Sequence, residues 1–178
     1  DQNVFIVHDK DSKYYERRRN FSFNEFDWQT FKNSYKNLKD LNSFNLNEFP
    51  KNWVQLFQYK GDFYTYLPCD FCSDYTLKFS NDLIIEKTCE GPNAYGLKEF
   101  KQINSNDYSI KFSNRRLIVH LVDVKKGVAV FEEEGKYSLM INAKTIENFP
   151  IIENECLNSK GTELEFETPD FKRLLNQK

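Results

Sequence analysis

The sequence predicts a mainly β protein made of consecutive antiparallel hairpins. Three observations carry this expectation. From Trp53 onward apolar and polar residues alternate with period two, the signature of half-buried strands. Short turn-forming pairs (Ser80-Asn81, Ser113-Asn114, Lys126-Gly127, Gly135-Lys136) interrupt the runs. Such brief connections join antiparallel neighbours, because a parallel crossover needs about a dozen residues or more. Finally, Asp74-Tyr75-Thr76-Leu77-Lys78-Phe79-Ser80-Asn81 returns 33 residues later as Asp107-Tyr108-Ser109-Ile110-Lys111-Phe112-Ser113-Asn114, with six of eight positions identical. Each copy leads into an apolar run, Leu83-Ile84-Ile85 or Leu117-Ile118-Val119, so each reads as a hairpin. A meander of hairpins closes most simply as an up-and-down barrel, with a β-sandwich as the alternative.

The elements follow in chain order. Residues 1–21 are polar, with Val4-Phe5-Ile6-Val7 as a short strand and the charged stretch Lys10 to Arg19 as a solvated terminal segment. Residues 22–41 read as a helix. Ser22 and Glu25 have capping-box spacing, and Trp28, Phe31, Tyr35 and Leu38 fall on one helical face that is expected to pack on the body. Leu41 to Phe49 is Asn-rich loop. Strands are expected from Trp53 through Leu67 and at Asp74–Phe79, Leu83–Cys89, Asp107–Phe112, Leu117–Val124, Val128–Glu132, Tyr137–Ala143 and Thr162–Glu167. Thr168-Pro169-Asp170 starts a short C-terminal helix that Phe171, Leu174 and Leu175 pack down. Residues 1–49 thus form an N-terminal arm and amphipathic helix, and residues 50–178 an antiparallel β domain.

Composition narrows the function classes. The 178 residues carry 25 Lys and Arg against 27 Asp and Glu, a formal charge of −2, which argues against a nucleic-acid binder held by phosphate neutralisation. No apolar run approaches the roughly 20 residues of a membrane helix, so no transmembrane segment is expected. With 17 Phe, 10 Tyr and 2 Trp, the chain has ample material for a core.

The cysteines are Cys69, Cys72, Cys89 and Cys156. Cys69-Asp70-Phe71-Cys72 is followed by a strand pattern, whereas a redox CxxC opens a helix. A zinc site needs a second close pair, which is missing. Two structural disulfides remain, and with them an extracytoplasmic location: periplasmic, secreted or surface-attached. The start at Asp1 is what a removed leader would leave. If Ser80-Asn81 is a two-residue turn, Leu77 faces Ile84, Asp74 faces Lys87, and Cys72 faces Cys89 at disulfide distance. Cys69 and Cys156 then pair by elimination. In the second copy the same rule sets Ile110 against Leu117, Tyr108 against Val119, and Asp107 against His120, a polar cross-strand pair.

No nucleotide, metalloprotease or serine-hydrolase motif is present, and with only His8 and His120 a multi-histidine metal site is unattainable. No catalytic residue, metal or cofactor is expected. Trp53 near the first strand and the repeated Tyr-x-Leu/Ile-x-Phe hairpins, Tyr75 to Phe79 and Tyr108 to Phe112, resemble lipocalin-like (calycin) secreted barrels. The resemblance covers about half the chain. It implies a non-enzymatic binder of a small, partly apolar ligand, lined by Phe63, Tyr75, Phe79, Tyr108 and Phe112. The alternative is a filled core and a protein-interaction module, an inhibitor or surface subunit, that presents Tyr64, Tyr66, Trp28 and Tyr35.

Overall fold

The computed structural model describes residues 2–69, 75–156 and 163–176. Eight antiparallel strands form a closed barrel. They are β2 (Asn52–Gln55), β5 (Thr76–Phe79), β6 (Leu83–Thr88), β7 (Gly91–Gln102), β8 (Asp107–Phe112), β9 (Arg115–Asp123), β10 (Val128–Glu133) and β11 (Lys136–Asn142). The order is a sequential meander, and β11 returns to β2 through Ile141 and Val54. Between β2 and β5 the chain leaves the barrel as β3 (Phe57–Tyr59) and β4 (Asp62–Leu67). These join β1 (Gln2–Val7) and β12 (Ile151–Cys156) in a separate four-stranded sheet. The expected Val4–Val7 strand is therefore real, and it pairs with β12, a strand the sequence reading did not find.

The two near-copied hairpins differ in register. The second matches expectation: Asp107 faces His120, Tyr108 faces Val119, and Ile110 faces Leu117. The first turns one residue later. Phe79 faces Ile84, Leu77 faces Glu86 rather than Ile84, and Thr76 rather than Asp74 faces Lys87. The cause is Asp82, where the second copy has Arg115. Ser80 Oγ donates to Asp82 Oδ1 at 2.7 Å and accepts the Leu83 N–H at 3.1 Å, and the Ser80 N–H donates to Leu83 O at 2.9 Å. Moving the tip by one residue moves every partner by two, so each side chain keeps its face.

The derived opposition of Cys72 to Cys89 loses its geometric basis with that register. Cys72, the side chain of Cys156 and Asp74 lie outside the described residues, as do the pairings expected of them. Among the described residues no cysteine is free, and Cys69 and Cys89 are in disulfide form.

β7 was not foreseen. Gly91-Pro92 at its start reads as a turn, and a bulge between Leu97 and Glu99 interrupts the alternation that would have marked it. The Lys10–Arg19 stretch is also more ordered than expected. Ser12 caps helix α1 (Lys13–Asn20), which buries Tyr14, Tyr15 and Arg18. Tyr14 Oη donates to Tyr66 O at 2.7 Å, and the Tyr15 hydroxyl donates to Phe149 O, fastening the helix to the body.

Helix α2 (Glu25–Tyr35) is capped by Asn24 and Asp27 in a reciprocal capping box, two residues beyond the expected Ser22 start. Its orientation overturns the expectation for its aromatic stripe. The face on the barrel is small and polar. Asp27 is buried and pairs with Lys87 Nζ at 2.6 Å, Thr30 sits over Gly91, and Ser34 Oγ bonds the Ala94 N–H at 2.9 Å. Trp28 and Tyr35 are 51% and 44% exposed. A ladder of rings, Phe23–Trp28 at 5.1 Å and Phe31–Tyr35 at 5.6 Å, runs along the outer flank. Side chains without bulk let the helix axis approach the sheet, so the large rings are displaced outward. Helix α3 (Phe171–Asn176) packs Phe171, Leu174 and Leu175 against the body, as expected.

The barrel is plugged at one end. Leu46 and Phe49, from the Asn-rich loop, are buried in its interior, and the Phe44 N–H donates to Asn81 O at 2.7 Å. The Phe49 ring meets Phe79 at 5.2 Å, Tyr108 at 4.9 Å and Trp53 at 5.8 Å. Trp53 Nε1 donates to Pro50 O at 2.7 Å, which satisfies the indole where it is buried. Leu77, Ile84, Leu97, Ile110, Val119, Ala129 and Met140 belong to the same buried cluster.

Candidate binding site

With one end plugged, the interior opens at the other, beside the turns at Ser113-Asn114 and Glu134-Gly135. There the inward stripes of five strands end in large or charged residues. Tyr75 precedes Leu77, Glu86 follows Ile84, Phe112 follows Ile110, Arg115 precedes Leu117, and Glu133 follows Phe131. Together with Tyr137 and Ser138 of β11 they line a cavity of about 300 Å³. That is at the small end of ligand pockets, which run from about 300 to 1,000 Å³.

Arg115 organises the polar side. Its Nη1 and Nη2 reach Glu86 Oε2 and Oε1 at 3.0 and 2.9 Å. Its Nη2 also reaches Glu133 Oε2 at 2.8 Å, and its Nε donates to Glu133 Oε1. The guanidinium lies over the Phe112 ring, 4.7 Å from the centroid, and near Tyr95 at 5.6 Å. Two carboxylates share this one cation. Its hydrogen bonds to Glu133 foremost, and to Glu86, hold Arg115 charged well beyond its ordinary range, against the opposing effect of burial. Tyr75 Oη lies 3.3 Å from Glu86 Oε1. Burial first, then the Glu86 charge, pushes the Tyr75 phenol far up, so it stays a neutral donor.

The residues expected to line a ligand divide. Tyr75 and Phe112 line the cavity. Phe79 and Tyr108 are in the buried cluster at the plugged end, around Phe49. Phe63 is outside the barrel, on β4, packed against the cluster of Tyr15, Val54 and Ile146. Of the expected surface residues, Trp28 and Tyr35 are exposed, but Tyr64 and Tyr66 are buried. Tyr66 Oη accepts from Asn154 Nδ2 at 2.8 Å and from the Leu164 N–H at 3.2 Å, so it serves the four-stranded sheet and not the surface.

Glu86, Arg115 and Glu133 were missed, although alternation places each on an inward stripe. Counting by twos from Ile84, Leu117 and Phe131 reaches all three. His120 lies away from this site. Its Nδ1 is 2.7 Å from Asp107 Oδ1 and its Nε2 is 3.4 Å from Glu132 Oε2, a cross-strand polar network on the outer face.

No family model, curated protein or solved structure matches the chain. Among the described residues no helix is long and apolar enough to cross a membrane.

Proposed function

We propose that the protein is a non-enzymatic binder of a small, partly apolar ligand, held in the open mouth of the barrel. The cavity of about 300 Å³, with aromatic walls and a fixed Arg115–Glu86–Glu133 cluster, carries this reading. Apolar walls with a few oriented polar groups are what small-molecule sites require. The other end of the barrel supports it by being filled, among the described residues, with Leu46, Phe49, Trp53, Phe79 and Tyr108. The state of the cysteines, with no free thiol among the described residues, supports an oxidising extracytoplasmic compartment.

The test uses N-phenyl-1-naphthylamine, a neutral dye that brightens in apolar surroundings. The wild-type protein should enhance its fluorescence saturably. Ser138→Phe, which places a ring in the cavity, should weaken binding about tenfold or more, a change of about 1.4 kcal/mol. Trp28→Ala, remote from the mouth, should leave it unchanged. No saturable enhancement, or equal affinity in a folded Ser138→Phe variant, overturns the reading.

The second reading, a protein-interaction module, is supported by one observation: Trp28 and Tyr35 of α2 are exposed on one flank of the helix, in a row with the rings of Phe23 and Phe31. Failure of the dye to bind would leave this reading standing.

A further inference from the structure

We propose that the barrel mouth selects a small organic cation, an ammonium group on an aromatic or branched apolar body. This rests on the reading of the mouth as a ligand site and adds the charge of the ligand.

The first ground is the charge of the lining. Among the described residues the cavity is bordered by Glu86, Glu133 and Glu134 against Arg115 and Lys136, which leaves one negative charge in excess. The imbalance is sharper inside. Glu86 and Glu133 face a single guanidinium, and Glu134 and Lys136 are exposed at the rim, where solvent screens them. An uncompensated carboxylate charge in a partly buried site is costly, and a cationic guest relieves it.

The second ground is the saturation of Arg115. It reaches four carboxylate oxygens through Nε, Nη1 and Nη2, leaving little donor capacity for an incoming anion. An anionic ligand would have to displace a carboxylate and would add to the negative excess. A cation needs neither step, because carboxylate oxygens accept more than one hydrogen bond.

The third ground is the aromatic wall. The rings of Tyr75, Phe112 and Phe131 line the cavity, while that of Tyr137 stacks on Phe171 outside it. Ring faces attract cations by about 0.5–2 kcal/mol, more as water is excluded. Arg115 already exploits the Phe112 and Tyr95 faces. The volume limits the guest to about one ring with its headgroup.

Isothermal titration calorimetry with three near-isosteric probes tests the inference: 2-phenylethylammonium, 2-phenylethanol and 3-phenylpropanoate. The ammonium should bind about tenfold or more tightly than the alcohol, and the carboxylate most weakly. Raising the salt should weaken the ammonium and leave the alcohol unchanged. Glu133→Gln, which removes the excess charge, should bring ammonium and alcohol within about threefold of each other. Should that variant not fold, the salt comparison on the wild type decides. Equal or better binding of the alcohol or the carboxylate overturns the charge assignment and leaves the cavity reading intact. No binding of any probe overturns both.

Discussion

Arg115 Nη2 lies 2.9 Å from Glu86 Oε1, and this contact joins β9 to β6 across the barrel interior rather than between neighbouring strands. Because Glu133 of β10 shares the same guanidinium, one side chain ties three strands at the open end. The ion pair is partly buried, the Arg115 side chain being 28% exposed and that of Glu86 12%. Arg115→Met would leave two carboxylates facing each other without a cation. A loss of about 2 kcal/mol is expected, between the values for exposed and buried pairs. The triple variant Arg115→Met, Glu86→Gln, Glu133→Gln should recover much of that loss, because it removes the stranded charges as well. Urea unfolding of the two variants against the wild type measures the difference.

The barrel itself was legible because its signals are local. Period-two runs and short turn pairs place seven of the eight barrel strands in sequence without knowledge of any distant contact, and β7 escapes because its bulge breaks the alternation. Register was legible only where the tip had one plausible geometry. Ser113-Asn114 behaved as read, whereas Asp82 recruited the Ser80 hydroxyl and moved the first tip. The orientation of α2 was not legible, since hydrophobicity alone favours Trp28 and Tyr35 as the buried side. What decides it lies 60 residues away in sequence, in the hydrogen bond of Ser34 to Ala94 and the ion pair of Asp27 with Lys87. The charged cluster at the mouth was within reach of the alternation rule, but each member looks like an ordinary strand-end residue until the barrel closes and brings all three together.

Tyr15 gives the fold a dependence on alkaline pH. Burial foremost pushes its phenol from 10.0 up to about 12, against the lowering effect of the Thr65 hydrogen bond. The folded state therefore holds this proton more tightly than the unfolded chain does. Its contribution is complete below pH 10 and declines as pH rises toward about 12. Tyr15→Phe should be less stable at neutral pH, having lost the bond to Phe149 O, yet its stability should fall less steeply through that alkaline window. Denaturant midpoints at a series of alkaline pH values compare the slopes, and an unchanged slope would count against the burial of Tyr15.

Two glycines with similar backbones separate strain from docking. Gly61 has φ +84° with nothing within 4 Å of an added Cβ, while Gly91 has φ +92° and would place that Cβ 2.9 Å from Thr30 Cβ. Alanine at either site adopts a left-handed conformation at a cost of about 1 kcal/mol. Gly91→Ala must in addition push α2 off β7, so it should cost about 2 kcal/mol or more. Thermal unfolding of the two variants should show the larger drop for Gly91→Ala. Equal losses would mean that α2 does not sit closely on this strand.

The two tryptophans report the orientation of α2 directly. Trp53 is 1% exposed inside the barrel, and Trp28 is 51% exposed on the helix. Trp28→Phe should leave a blue-shifted emission that acrylamide quenches weakly, because Trp53 then emits alone from an apolar site. Trp53→Phe should leave a red-shifted emission that is quenched strongly. That second variant also loses the hydrogen bond to Pro50 O, so it is expected to be less stable by about 1–3 kcal/mol, and its spectrum should be read well below its unfolding temperature. If Trp28 alone proved shielded from acrylamide, the aromatic ladder would have to face protein, either the barrel or a second molecule. The polar contacts of Asp27 and Ser34 with β6 and β7 leave no room for it against the barrel, so shielding would point to an occupant on the outer face of α2.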